Sequence, residues 1–185
     1  MGHSVDIPYL FKDNIETYLE YLAKEIKNAE IGKHKILVVG GAAMALKYHG
    51  ERSTVDIDIC FREQNNLYKC CEKVGKDNNL PEDWINADVM HSDSFSYRLF
   101  DNAVFYKNIG DELEIYVVDD LDLYCMKVVS FRPKDIQDMI RIAPILKEND
   151  VNVDVVKSNF ERLYGNLYHF LNDKRKEQLV SMQLK

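Results

Sequence analysis

Nothing in this sequence supplies a covalent staple, a membrane span or a leader. Only four cysteines occur in 185 residues, at positions 60, 70, 71 and 125. Cys70 and Cys71 are adjacent and poorly placed to bond each other, and no Cys-x-x-Cys pair exists, which excludes a disulfide framework and a zinc site of ordinary spacing. Reduced thiols in a cytoplasmic protein are the expectation that follows. No apolar run approaches the length of a membrane span, and the N-terminus, Met1 to Asp6, lacks the basic and apolar regions of a signal peptide. There is no internal repeat and no low-complexity stretch. Basic residues are also short: 24 Lys and Arg against 31 Asp and Glu give a net charge of −7. That balance, with no basic stripe, argues against strong non-specific nucleic-acid binding. It does not exclude a nucleotide substrate, because a bound divalent cation inverts the local electrostatics. A Walker-type Gly-Lys-Ser/Thr loop and the kinase motif set are missing as well, which ranks a kinase or hydrolase last.

What is present is the balance of an ordinary globular chain, 46% hydrophobic and 30% charged, long enough to bury a core unaided. Phe11, Ile15, Tyr18, Leu19, Leu22 and Ile26 recur at helical spacing and predict a helix over 11–28, with Asp13 as its cap. Residues 35–39 read as a buried strand ending at Gly40-Gly41, followed by a helix over 42–49 with Gly50 as its stop. Thr54 to Phe61 alternates strictly and predicts a second strand. A helix over 64–76 and an irregular stretch over 77–102 follow. Two strands, 103–108 and 113–118, turn through Gly110-Asp111. Beyond them Asp119 or Asp120 caps a helix, and Pro133 opens the next, over 133–147. Helical stretches over 151–163 and 166–172 precede a charged tail expected to fray. The fold class is therefore α/β (α+β), a mixed sheet with flanking helices and a helical C-terminal half. The expected domain layout is a core over 1–118, a helical region over 119–172 packed on it, and the tail over 173–185.

The chemistry concentrates between Val38 and Asp58. A strand delivers Gly40 and Gly41 to a helix N-terminus, where backbone N–H groups and the helix dipole favour a phosphate and a side chain would block its approach. The next strand projects Asp56 and Asp58 from one face, two residues apart. Two carboxylates so close repel each other, and a divalent cation resolves the repulsion. A phosphate cradle beside paired carboxylates is the logic of metal-assisted phosphoryl or nucleotidyl transfer.

The string Gly40-Gly41-Ala42-Ala43-Met44-Ala45-Leu46 ending in Arg52-Ser53-Thr54-Val55-Asp56-Ile57-Asp58 resembles the signature of the nucleotidyltransferase (DNA polymerase β-like) superfamily. Within it the sequence is similar to the abortive-infection nucleotidyltransferase-toxin families and their uncharacterised bacterial relatives. A second block, Lys127 through Arg132-Pro133-Lys134-Asp135 to Asp138, resembles a Lys followed by Arg-x-Lys/Arg-Asp-x-x-Asp in those families, and Trp84-Ile85-Asn86 resembles a Trp-Leu-Asn element. The resemblance implies the nucleotidyltransferase fold, a nucleoside triphosphate substrate, and Mg²⁺ or Mn²⁺ on Asp56 and Asp58. It implies that Gly40, Gly41, Thr54 and Arg132 bind the nucleotide. Lys127 would neutralise phosphate charge, Asp135 would support the site, and Asp138 would orient Arg132 or Lys134. It further implies an RNA or tRNA acceptor and an antitoxin protein as partner, with no membrane. Two departures stand out. The spacer from Gly41 to Asp56 is long, and its extra length is placed in the His49–Ser53 turn. The third carboxylate usual in the superfamily has no single candidate: Glu114 on the 113–118 strand is preferred, with Glu112 and Asp88 as alternatives. A catalytically degenerate nucleotide-binding or partner-binding protein of the same fold is the competing reading.

Each feature also has a plainer reading. Gly40-Gly41 alone is an ordinary strand-to-helix turn, and Asp56 with Asp58 alone is a solvated strand face. Lys127 among apolar helix positions is a snorkelling lysine. Arg132, Lys134, Asp135 and Asp138 are helix-start electrostatics. Trp84 is expected to anchor packing, Cys60 and Cys125 to be buried, and the aromatic residues from Phe160 to Phe170 to serve a core or an interface. The histidines at 34, 49, 91 and 169 have no ligand spacing.

Overall fold

Ile36, Leu37, Val38 and Val39 are wholly buried, as expected of a short run of β-branched and aliphatic residues in the middle of a sheet. Ile36, Leu37 and Val38 belong to β1 (His34–Val38), the centre of a five-stranded mixed sheet ordered β3-β2-β1-β5-β4, and Val39 follows it. Its other strands are β2 (Ile57–Cys60), β3 (Ile85–Asn86), β4 (Val104–Ile109) and β5 (Leu113–Val117). The helices are α1 (Lys12–Asn28), α2 (Gly40–Lys47), α3 (Leu67–Asp77), α4 (Asp120–Ser130), α5 (Pro133–Glu148), α6 (Val153–Tyr164) and α7 (Asp173–Val180). This computed structural model describes residues 9–48, 52–62 and 66–180, without the side chains of 168, 170 and 178–180. Strand β1 runs antiparallel to β2, with Val38 opposite Ile59. It runs parallel to β5, with Lys35 opposite Glu114 and Val38 opposite Val117. The mixed α/β architecture with a mostly helical C-terminal half is the fold class expected from the sequence.

The chain divides into two compact units. The first comprises Met1–Asp88 and Phe105–Val117, the second Val89–Val104 and Val118–Lys185. Residues 89–104 thus group with the helical unit, against the linear boundary at 118 expected from sequence. Side chains explain it. Ser96 donates to the Leu163 carbonyl at 2.8 Å, Tyr164 donates to the Ser94 carbonyl at 2.7 Å, and Arg162 donates to the Arg98 carbonyl at 3.0 Å.

In the first unit, α1 buries Ile15, Leu19, Leu22, Ala23 and Ile26 and packs against α2 and α3. Its cap differs from expectation. The N-cap is Phe11, whose N–H is taken by Asn14 Oδ1 at 3.3 Å, and Asp13 lies inside the first turn. The helix starts where the chain leaves a backbone bridge at Leu10, a long-range constraint that helical spacing does not reveal. Trp84 is 1% exposed. Its indole N–H donates to the Cys71 carbonyl at 3.0 Å and its ring meets Tyr18 edge-on at 5.8 Å, so it is the packing anchor expected. The two residues of β3 fall inside a stretch read as irregular, since a pair of residues carries no periodicity. The helix stop at Gly50 and most of the turn over 49–53 lie outside the described residues.

In the second unit α4 is buried on all sides and packs with α5, α6 and α7. Asp119 is its cap, accepting from the N–H groups of Leu121 at 2.9 Å and Asp122 at 3.4 Å, and Pro133 opens α5. The stretch expected as a helix over 166–172 is instead a 3-10 segment, Gly165–Phe170. The tail expected to fray forms α7 over Asp173–Val180. Asn172 accepts from the Arg175 N–H at 3.0 Å, a local cap that composition alone does not reveal. Phe160 is fully buried, as are Cys60 and Cys125, and all four cysteines are free thiols. No described helix is long and apolar enough to cross a membrane.

Candidate functional site

The site grows from the end of β1. Gly40 has φ +62°, a left-handed conformation that L side chains adopt only at a cost. A Cβ added there would lie 2.5 Å from Oδ2 of Asp58, and one added to Gly41 would lie 2.6 Å from Oγ1 of Thr54. The two glycines therefore let the first turn of α2 sit directly on Asp58 and Thr54. The N-cap of α2 is Val39, which offers no side-chain oxygen. The first-turn N–H groups of any helix lack intrahelical acceptors, so this end of α2 places those amides and the positive end of the dipole beside the carboxylate of Asp58.

Asp58 is held by register. It lies on β2 next to Asn86 of β3, and its carbonyl accepts from the Val39 N–H at 3.0 Å. Asp56 does not lie in the strand. β2 begins at Ile57, residues 55 and 56 form a bend, and Thr54 makes an isolated antiparallel bridge to Leu10. The alternation expected from sequence survives as burial, with Asp56 and Asp58 partly exposed on either side of buried Ile57. Thr54, expected to hold the nucleotide, is 4% exposed. Its hydroxyl donates to Oδ1 of Asp56 at 3.3 Å and faces Gly41. The structure makes it a support for Asp56 rather than a surface that reaches a ligand.

Glu114 is not brought to the aspartates. It pairs with Lys35 in register, three residues before Val117, whereas Gly40 and Gly41 follow the opposite end of β1. Its carboxylate is engaged there by Lys33 at 3.1 Å, Lys35 at 3.3 Å and the Tyr116 hydroxyl at 2.6 Å. The hydrogen bond from Tyr116 and then that from Lys33 hold its carboxyl down at about 2. The sequence-based choice of Glu114 fails because alternation along a strand identifies the face of a side chain but not its level along the sheet. Of the alternatives, Glu112 sits in the β4–β5 turn within ion-pair reach of Lys27 (3.7 Å), and Asp88 follows β3 with its N–H on Asn86 Oδ1 at 3.0 Å. Among the described residues no group of three or more His, Cys, Asp or Glu side chains could hold a metal. Two carboxylates still suit Mg²⁺, which takes one or two from protein and completes its shell with water and substrate phosphates.

The second block assembles by itself within the helical unit. Lys127 in the last turn of α4 is 3% exposed. Its ammonium lies 2.8 Å from Oδ1 of Asp135 and 2.9 Å from Oδ2 of Asp138. Asp135 also receives the Arg132 side chain at 2.8 Å and the Arg132 N–H at 3.0 Å. Burial alone would raise the Asp135 carboxyl, but Arg132 and Lys127 outweigh it and hold the group below its usual range. Phe131 in the left-handed region (φ 52°) ends α4 and lets the chain re-enter a helix within two residues, which brings the two carboxylates of α5 to the lysine. Lys127, expected on phosphate, is thus neutralised by two buried carboxylates. Asp138, expected to orient Arg132 or Lys134, pairs with Lys127, and Asp135 orients Arg132. The Arg132 side chain is 68% exposed.

One buried cluster has no signal in the sequence. Asp122 is fully buried and takes Asn159 at 2.8 Å and Arg162 at 2.6 Å on one oxygen, while its other oxygen has no hydrogen-bond partner. Burial, the largest influence, raises its pKa. Asn159 and Arg162 line a shallow, open depression of about 410 Å³ with Leu121, Asn152 and Asp154. A lone acidic residue at helical spacing gives no signal of burial, so only the packing of α4 against α6 reveals the cluster.

No curated protein and no solved structure matches the chain. A family model does, over residues 17–184, a range that takes in the Gly-Gly turn, both aspartates and the lysine cluster. The chain belongs to the family described as nucleotidyltransferases of unknown function (DUF6036).

Proposed function

We propose that this protein transfers a nucleoside monophosphate from a nucleoside triphosphate to an acceptor hydroxyl, with Mg²⁺ or Mn²⁺ on Asp56 and Asp58. The observation that carries the reading is the seating of the α2 N-terminus on Asp58 through Gly40, where a Cβ would lie 2.5 Å from the carboxylate. An uncapped helix end and two carboxylates are thereby held together, matching a triphosphate and its counter-cation. When bound, the cation supplies charge neutralisation of the triphosphate and polarisation of the α-phosphorus. The chain's own residues do the rest. The first-turn amides of α2 take phosphate oxygens. Thr54 holds Asp56 through its hydroxyl, and Gly41 makes room for that contact. The acceptor oxygen forms a bond to the α-phosphorus, the bond from the α-phosphorus to the bridging oxygen breaks, pyrophosphate leaves, and the acceptor proton goes to solvent.

The acceptor proposed is an RNA, tRNA included, and the protein partner an antitoxin. What supports both is the resemblance of the two sequence blocks to the abortive-infection toxins. A second reading, binding without turnover, is favoured by one observation: Glu114 is committed to Lys33, Lys35 and Tyr116, and no third carboxylate joins Asp56 and Asp58 among the described residues.

The test is a transfer assay with the four nucleoside triphosphates labelled at the α-phosphorus, Mg²⁺ or Mn²⁺, and total cellular RNA or protein. Label on a macromolecule with wild type and none with Asp56→Ala/Asp58→Ala is the expected result. Metal-dependent nucleotide binding without label transfer would favour the binding-only reading, and absence of both would remove the site.

A further inference from the structure

A guanidinium stands at the start of α2, where the helix dipole favours an anion. A Cβ added to Gly41 would lie 4.0 Å from Nη2 of Arg52, and the same atom would meet Oγ1 of Thr54 at 2.6 Å. Arg52 therefore reaches the first turn of α2 beside the hydroxyl that holds Asp56. The segment that carries it is pinned. The Leu10 N–H donates to the Thr54 carbonyl at 2.7 Å, and the Thr54 N–H donates to the Leu10 carbonyl at 3.0 Å. Thr54 is buried, whereas Arg52 is partly exposed and open to a ligand from solvent.

The placement runs against ordinary helix electrostatics. Anions stabilise a helix N-terminus and cations stabilise the opposite end, and α2 carries no acidic residue in its first turn. The carboxylates beside this end of α2 are Asp58 at Gly40 and Asp56 at Thr54. The proposed reaction commits both to a divalent cation. With that cation in place, the metal, the helix dipole and Arg52 present positive charge to one space, and a polyanion balances them. A guanidinium has several N–H donors in a planar fork that matches phosphate oxygens, so contacts inside the protein and a phosphate contact are compatible. A side chain at position 41 would fill the gap between that fork and the helix.

We propose that Arg52 reads the terminal phosphates of the nucleoside triphosphate and holds the pyrophosphate as it leaves. This rests on the nucleotidyl-transfer reading of the site and adds the residue that makes it prefer a triphosphate. The order along the site is Asp58 against Gly40, then Arg52 against Gly41. The α-phosphorus belongs at the carboxylates, and the phosphates beyond it lie over the α2 amides toward Arg52. The acceptor oxygen bonds to the α-phosphorus, the bond from the α-phosphorus to the bridging oxygen breaks, and the acceptor proton goes to solvent. Negative charge gathers on the departing pyrophosphate, where Arg52 takes it.

Calorimetric titration of the full chain with Mg²⁺ tests the assignment. The probes are each nucleoside triphosphate, the matching monophosphate and inorganic tripolyphosphate. The proteins are wild type, Arg52→Ala, Arg52→Gln, Arg52→Lys and Asp56→Ala/Asp58→Ala. Loss of a charge-assisted hydrogen bond weakens binding about ten- to a hundredfold. That loss is expected in Arg52→Ala and Arg52→Gln for triphosphate and tripolyphosphate, with the monophosphate bound as by wild type. Arg52→Lys should recover part of it, since the charge returns without the fork. Where alanine does not fold, glutamine decides, because it keeps a polar side chain in place. A glutamine variant that holds triphosphate and tripolyphosphate like wild type overturns the assignment. If Asp56→Ala/Asp58→Ala still loses the triphosphate in those same titrations, the transfer reading stands without Arg52. An equal loss for the monophosphate also overturns it, since Arg52 would then act through the shape of the site. Wild type binding none of the probes removes both readings.

Discussion

Gly40→Ala tests the seating of α2 on Asp58, and Gly32→Ala is its control. Both glycines lie at positive φ, +62° and +84°, so each alanine incurs the left-handed penalty of about 1–2 kcal/mol. Each also gains the same small advantage, about 0.4–1 kcal/mol, from a less flexible unfolded chain. The two differ in what the new methyl meets: nothing within 4 Å at Gly32, but Oδ2 of Asp58 at 2.5 Å at Gly40. The carboxylate has to leave its rotamer or α2 has to shift, which costs about 0.5–1.5 kcal/mol. The backbone contributions cancel in the comparison, so Gly40→Ala is expected to be less stable than Gly32→Ala by about that amount. Urea unfolding followed by the fluorescence of the single tryptophan, buried Trp84, measures it. Mg²⁺-dependent nucleotide binding is the second readout: unchanged in Gly32→Ala and at least tenfold weaker in Gly40→Ala, since only the latter displaces the carboxylate proposed to hold the metal. Equal stabilities together with equal nucleotide affinities would refute the reasoning, because the close approach would then constrain nothing.

Lys127→Ala leaves Asp135 and Asp138 buried without their ammonium and should lose about 3–5 kcal/mol; urea midpoints within 1 kcal/mol of wild type would show that the cluster is not closed as described. Asp135 has a folded pKa below its unfolded value of 3.8, so the stability it contributes is present above about pH 4 and disappears as pH falls through the lower folded value. Asp135→Asn should therefore be less stable at neutral pH and show a shallower acid loss than wild type. Burial, aided by Asp58, pushes the Cys60 thiol up to about 12, and burial does the same for Cys125. A thiol-reactive disulfide at pH 8 should leave both unmodified in the native protein and react with them once urea is added; fast native labelling of either, located by peptide mass, would contradict the packing around it.

Much of the frame is legible in local pattern. The apolar run before Gly40, the helical spacing of Ile15, Leu19, Leu22 and Ile26, and the proline at the head of α5 each depend on neighbours a few residues away, and each element formed where that local chemistry places it. The misses share a cause. Local spacing points to Asp13 as the α1 cap, whereas the start at Phe11 is set by the Leu10–Thr54 bridge, which spans 44 residues. Strand β3 is two residues long and held only by its neighbour β2. Residues 89–104 look like part of the first half until Ser94, Ser96 and Arg98 find α6.

The site divides in the same way. Residue type and spacing alone determined that two carboxylates follow a Gly-Gly helix start, because backbone conformation at glycine and alternation along an extended chain are local properties. Only tertiary structure decided that Thr54 turns its hydroxyl to Asp56, that Lys127 is closed by Asp135 and Asp138, and that Glu114 sits at the far end of β5. Strand register and helix docking set those distances. Both are decided by which apolar surfaces bury one another across the chain, and spacing along the sequence carries no record of that choice.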